Sequence, residues 1–123
     1  MMLLIMHTLL LVDDSPTQGR YLTLLIESLG WRVHACESAE LAPEAFLGLK
    51  FDLALVTLLT ENNNGFELGV RLQTHGINRV AIVTKNPRKS DIQWALALGL
   101  QGVLEAPSTK AHIAQQLEIL LKT

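Results

Sequence analysis

Residues 51–65 read FDLALVTLLTENNNG, and this stretch decides the fold. The apolar run Leu53–Val56 is short, and a polar, asparagine-rich loop follows it up to Gly65. A run of that length with turn residues behind it predicts a buried β-strand rather than a helix. In an open α/β sheet, ligands bind at the carboxyl ends of the strands. The residue expected at that end is Thr57, which therefore marks the candidate site.

The composition limits the class of protein. A chain of 123 residues with 49% hydrophobic content fits one domain with a substantial core. The net charge is −2 and no basic cluster exceeds Arg88–Lys89, which disfavours a nucleic-acid-binding surface. The single cysteine, Cys36, cannot form an internal disulfide and is predicted to be buried, which is consistent with a reducing, cytoplasmic compartment.

The first residues are apolar but do not have the pattern of a targeting segment. They lack the charged leader of a signal peptide and are too short to span a bilayer. We expect residues 1–7 to be a disordered or added extension and residues 8–123 to form one domain. No membrane partner is expected.

Strands and helices alternate five times along that domain. The predicted strands are Thr8–Val12, Trp31–Cys36, Leu53–Val56, Arg79–Thr84 and Gln101–Glu105. The first two predicted helices begin after Ser15 and after Ser38. The other three cover Gly65–Thr74, Arg88–Leu98 and Thr109–Lys122. The alternation predicts an α/β fold, a doubly wound parallel sheet with helices on both faces. The loops after strands one, three, four and five should share one rim, which brings together Asp13, Asp14, Thr57, Thr84 and Ala106.

Four segments resemble the response-regulator receiver family, in the order and at the spacing of its chemotaxis-receiver-like members. They are LLLVDDSPT, DLALVT with NGFEL, VAIVT, and GLQGVLEAP, whose proline is commonly cis in the family. The resemblance covers the chain from Thr8 onward. It implies a flavodoxin-like (βα)5 fold with strand order 2-1-3-4-5.

The resemblance also implies where the functional positions of a receiver lie. In the family an aspartate after the third strand accepts a phosphoryl group, an acidic pair helps it to hold Mg²⁺, and a hydroxyl residue and a lysine contact the phosphoryl group. The acidic pair corresponds to Asp13 and Asp14, and the hydroxyl residue to Thr84. The acceptor position holds Thr57 and the lysine position holds Ala106.

Further positions depart from the family pattern. Val103 stands where a switch aromatic is usual, Lys85 where a small residue is usual, and Glu61 where the loop usually has a proline. We expect Lys85 either to pair with Asp13 or Asp14 or to extend into solvent.

The threonine at the acceptor position changes the chemistry that the site can perform. A threonine hydroxyl is neutral and needs a base before it can act as a nucleophile. A site that loses one of three carboxylates should bind Mg²⁺ weakly or not at all. We therefore expect no catalytic residues, no cofactor, and at most weak Mg²⁺ binding at Asp13 and Asp14. The chain should not be an enzyme.

One candidate contact surface lies on the helix predicted over Arg88–Leu98. If Ile92, Ala95 and Leu96 face the sheet, then Trp94 and Leu98 lie one turn apart on another flank. Tryptophan is enriched at interface hot spots. The alternative is that Trp94 packs on the last helix near Gln115. In receivers the face made by the fourth helix, fifth strand and fifth helix is the usual surface for partners and dimers.

We therefore expect a degenerate receiver, a phosphorylation-independent pseudo-receiver that binds protein partners in two-component-type signal transduction. It would act alone or within a larger protein, and a homodimer through that face is one form that the contact could take. One alternative is a conventional or atypical phosphoacceptor. Another is a small-molecule or anion sensor that uses the vacated pocket at Thr57 and Thr84. A third is a structural spacer.

Overall fold

The computed structural model describes residues 6–37, 48–57 and 65–122. The strands are β1 (Thr8–Val12), β2 (Arg32–Cys36), β3 (Leu53–Thr57), β4 (Val80–Thr84) and β5 (Gly102–Glu105). The described helices are α1 (Pro16–Ser28), α2 (Gly65–Thr74), α3 (Lys89–Ala97) and α4 (Lys110–Leu121). The helix expected after Ser38, the loop residue Glu61 and residues 1–5 lie outside the described part of the chain.

The five strands form one parallel sheet in the order β2-β1-β3-β4-β5. This confirms the predicted fold class and strand order. Each described strand agrees with its predicted position to within one residue at each end. His7 is already hydrogen-bonded to the sheet, because its carbonyl accepts the N–H of Arg32 at 2.8 Å. The centroid of its ring lies 4.9 Å from that of the Trp31 ring. The paired chain thus begins before Thr8.

Helices pack on both faces of the sheet. Alternate residues of each strand point to opposite sides, so each strand contributes to both layers of the core. One layer joins Leu9, Leu11, Leu53 and Leu55 to α1 and α4. The other joins Leu10, Val12, Ala54, Val56 and Ile82 to α2 and α3. Cys36 is only half-buried against this second layer, since β2 is an edge strand.

Local signals in the sequence set the ends of α1. Ser15 caps the helix by accepting the N–H of Gln18 at 3.4 Å, and Pro16 is the first helical residue, where its missing N–H costs nothing. Gly30 follows the helix with φ +95°, a conformation that glycine adopts without a steric penalty.

The peptide Ala106–Pro107 is cis. Among the described residues, no helix is long and apolar enough to cross a bilayer.

Candidate functional site

The two acidic residues after β1 lie in different environments. Asp13 is 3% exposed, whereas Asp14 is exposed to solvent. One carboxylate oxygen of Asp13 accepts the N–H of Ser15 at 2.9 Å, and the other accepts the side-chain amide of Gln18 at 2.8 Å. Asp13 therefore stabilises the start of α1 from a buried position, which is the structural role that a carboxylate before a helix commonly has.

Thr57 is half-buried at the end of β3, and its hydroxyl points toward the neighbouring strand β1. The hydroxyl donates a hydrogen bond to the carbonyl of Val12 at 3.3 Å. The register places Val12 beside Val56 and Thr57 beside Val83, so the ends of β1, β3 and β4 lie side by side. Thr57 thus lies at the same edge of the sheet as the end of β1, and it presents a neutral hydroxyl that is already hydrogen-bonded.

The positions on β4 and β5 complete this edge of the sheet. Thr84 is half-buried, and its carbonyl accepts the N–H of Ala106 at 3.1 Å. Ala106 is 1% exposed, and its methyl group belongs to the core layer under α1 and α4. Val103 is half-buried and packs against the layer under α2 and α3. Both residues therefore act as core filling in this structure.

Lys85 extends into solvent, the second of the two arrangements expected for it. Its side chain is exposed. Among residues 6–37, 48–57 and 65–122, no ion pair joins Lys85 to Asp13 or Asp14. The pairing of this lysine with an aspartate is not formed in this structure.

Among the described residues, this edge of the sheet supplies carboxylate acceptors at Asp13 and Asp14 and neutral hydroxyls at Thr57 and Thr84. A Mg²⁺ ion needs near-octahedral oxygen ligands and takes one or two carboxylates from the protein. Asp13 is oriented by Ser15 and Gln18, and the hydroxyl of Thr57 is turned to Val12. In the described part of the chain, no three His, Cys, Asp or Glu side chains are grouped so that they could hold a metal ion.

The sequence predicts that Trp94 and Leu98 are both exposed on α3, and this prediction is wrong for Leu98. Trp94 is 55% exposed, but Leu98 is half-buried and packs on the core. The ring of Trp94 stands edge-on to Phe66 of α2, with centroids 6.5 Å apart, so the tryptophan faces α2 and not Gln115 of α4. Ile92 and Leu96, expected to face the sheet, are 42% and 58% exposed.

The physical reason for this rotation of α3 is a buried carboxylate. Asp91 is 6% exposed, and its carboxylate accepts the N–H of Arg88, the residue before the helix, at 2.9 Å. The Arg88 guanidinium lies 3.6 Å from the same carboxylate oxygen. Because Asp91 must face inward to cap the helix, Ala95 and Leu98 follow it on the inner face. Ile92 and Leu96 are left on the outer flank, away from Trp94.

A side chain of α4 binds the backbone of the edge strand β5. The Gln116 side-chain oxygen accepts the Glu105 N–H at 2.8 Å, and its amide nitrogen donates to the Glu105 carbonyl at 3.1 Å. His112, one turn earlier, lies 3.9 Å from the Glu105 carboxylate. This flank of α4 therefore faces β5. Ile119 follows Gln116 by three residues, close to this flank, and is 59% exposed.

Three exposed apolar residues lie on the two helices that contact β5 from opposite faces of the sheet: Ile92 and Leu96 on α3, and Ile119 on α4. We call them the outer patch. Sequence reasoning missed the outer patch because it assigned Ile92 and Leu96 to the core. The signal that could have located it is Asp91 in the first turn of α3, since an acidic residue there favours the start of a helix and can accept a backbone N–H of that first turn.

Comparisons with known proteins agree with this architecture. Residues 9–118 match the response regulator receiver domain family. The protein PilH of Pseudomonas aeruginosa is 30% identical over 120 residues, which cover 94% of this chain and 98% of PilH.

Solved structures share the fold at lower identity. The chemotaxis protein CheY4 of Vibrio cholerae superposes with a TM-score of 0.85 at 19% identity, over 95% of this chain and 100% of that one. A two-component response regulator from Clostridium difficile has a TM-score of 0.82 at 17% identity, over 94% and 96% of the two chains. The family match over residues 9–118 means that this chain belongs to the response-regulator receiver domain family.

Proposed function

We propose that this receiver domain signals without phosphorylation, as a pseudo-receiver whose output is binding to a protein. The chain is a receiver domain of two-component or chemosensory signalling, and such domains are in general signalling modules without enzymatic activity. The observation that carries the proposal is the hydroxyl of Thr57, which occupies the acceptor position and donates to the Val12 carbonyl. No carboxylate base contacts this hydroxyl in the described part of the structure, so it is not activated as a nucleophile.

The lysine position supports the same proposal. Ala106 puts a buried methyl group where the family has an ammonium, so the site lacks a cation that could stabilise a phosphoryl group in transfer. With one fewer carboxylate, the site should also bind Mg²⁺ weakly. We propose that the domain works in the cytoplasm without a cofactor, on its own or as part of a larger protein.

The first test is incubation with a small phosphodonor, such as acetyl phosphate, and Mg²⁺. We expect the intact mass of the wild-type chain to stay unchanged, because Thr57 has no activating base. The double variant Thr57→Asp/Ala106→Lys is the matched control, since it returns both the acceptor carboxylate and the ammonium to their positions. A mass gain of one phosphate on the wild-type chain would contradict the proposal and favour an atypical phosphoacceptor.

The outer patch is the surface that we propose for the protein contact. Its three side chains are between 42% and 59% exposed. We propose that these residues form one contact surface around β5, because a contiguous exposed apolar patch commonly marks an interaction site. We propose that the partner is a second copy of this chain and that the outer patches of two copies pack together.

The second test is self-association in solution. We expect the chain to dimerise in sedimentation or light-scattering measurements, and Leu96→Asp to weaken the dimer by about tenfold or more, because a charge would be buried in an apolar contact. Leu24→Asp is the matched control, since Leu24 is 56% exposed on α1, away from the outer patch. Addition of the phosphodonor should leave the dimer unchanged. A monomer at every concentration, or equal loss in both variants, would contradict the proposed face.

A further inference from the structure

A charged residue lies between the two halves of the outer patch. Helices α3 and α4 contact β5 from opposite faces of the sheet, so a contact that joins Leu96 to Ile119 passes over the open edge of β5. Glu105 is the last residue of that strand, and its side chain is 42% exposed. Because β5 spans only about 13 Å, an interface of standard size, about 800 Å² on each partner, covers all of it. The proposed dimer would therefore cover this carboxylate together with the apolar side chains.

His112 of α4 is the group that faces the Glu105 carboxylate. Its Nδ1 lies 3.9 Å from a carboxylate oxygen of Glu105 and 2.5 Å from the hydroxyl oxygen of Ser108. Tyr21 of α1 fixes Ser108, because its hydroxyl donates to the Ser108 carbonyl at 2.6 Å and accepts the Ser108 N–H at 3.1 Å. An unprotonated Nδ1 accepts the Ser108 hydroxyl, and a protonated Nδ1 donates to it. The ring is therefore held beside Glu105 in both charge states.

Glu105 is the charge on which protonation of His112 acts. It faces the ring from β5. Tyr21 approaches from α1 through Ser108, but a tyrosine ionises only near about pH 10. The residues one helical turn before and after His112 are uncharged: Ser108, Thr109, Gln115 and Gln116.

We propose that His112 makes the outer-patch dimer pH-dependent, with the protonated imidazole favouring the dimer. This inference rests on the dimer proposed above. Histidine ordinarily changes charge between about pH 5 and 8. At the basic end of this range the contact covers an unpaired carboxylate, which is costly, whereas at the acidic end the carboxylate is paired with an imidazolium. The dimer is therefore tight at the acidic end, and its affinity falls as the pH rises.

The test is sedimentation equilibrium of the full chain at about pH 8 and about pH 5, the two ends of that range. We expect the dissociation constant of the wild-type dimer to be about tenfold lower at the acidic pH, because each copy contributes one His112–Glu105 pair. Glu105→Gln should give the tight dimer at both pH values, since it removes the carboxylate and keeps the backbone groups that Gln116 binds. His112→Gln should give the weak dimer at both, since Glu105 then stays unpaired.

His75→Gln is the matched control for His112→Gln. His75 is exposed just after α2, so the variant also removes one titrating histidine and changes the net charge equally. It should keep the tenfold response. A wild-type dimer of equal affinity at both pH values, or equal loss of the response in both histidine variants, would overturn this inference and leave the dimer standing. A chain that stays monomeric at both pH values, in the wild type and in Glu105→Gln, would overturn the inference and the proposed dimer together.

Discussion

Replacing Leu55 with alanine should lower the free energy of unfolding by about 2–5 kcal/mol. Leu55 lies in the middle of β3, is 0% exposed, and packs in the layer under α1 and α4. The loss combines the transfer free energy of the deleted side-chain atoms with the cost of the cavity that they leave. Urea unfolding followed by circular dichroism measures the change, with the midpoint compared at constant slope.

The control for Leu55→Ala is the same change at an exposed position. Leu24 on α1 is 56% exposed, so Leu24→Ala should change the free energy of unfolding by no more than about 0.5 kcal/mol. A loss below about 1 kcal/mol in Leu55→Ala would mean that β3 is not the buried centre of the sheet.

The second large effect is expected at the acceptor position. Thr57→Asp should raise the affinity for Mg²⁺ about tenfold or more, because a third carboxylate joins Asp13 and Asp14 at this edge of the sheet. Without Mg²⁺ the variant should be less stable than the wild type, since three carboxylates at one edge repel each other. Titration calorimetry gives the affinity, and thermal melts with and without Mg²⁺ give the change in stability.

Thr57→Asn separates charge from shape in that experiment. Asparagine has nearly the same size as aspartate but carries no charge, so it should give no gain in Mg²⁺ affinity. If Thr57→Asp and Thr57→Asn bind Mg²⁺ equally, then Asp13 and Asp14 do not lie close enough to position 57 to share an ion with it. The wild-type chain should resemble Thr57→Asn.

The sheet could be read from the sequence because its signals are local. Strands β1, β3 and β4 are apolar runs, β2 alternates and β5 is shorter, and the sequence places each of the five to within one residue at each end. The caps Ser15 and Gly30 likewise act on neighbouring backbone atoms. The strand order was implied by the resemblance to receivers, since alternation alone predicts a parallel sheet without its order.

The parts that failed depend on tertiary geometry. The inner face of α3 was misassigned because apolar periodicity places Ile92 and Leu96 inward, whereas the capping carboxylate of Asp91 occupies that side. The direction of the Thr57 hydroxyl also follows from strand register rather than from residue type.

The amide of Gln116 has a consequence for the kind of partner that can bind. The outer side of β5 is an open end of the sheet, and an incoming peptide in extended form would need the free N–H and C=O of Glu105 to add itself there. Both groups are already engaged by one side chain from α4. Addition of a sixth strand at Glu105 would therefore require the Gln116 side chain to leave these two backbone groups first.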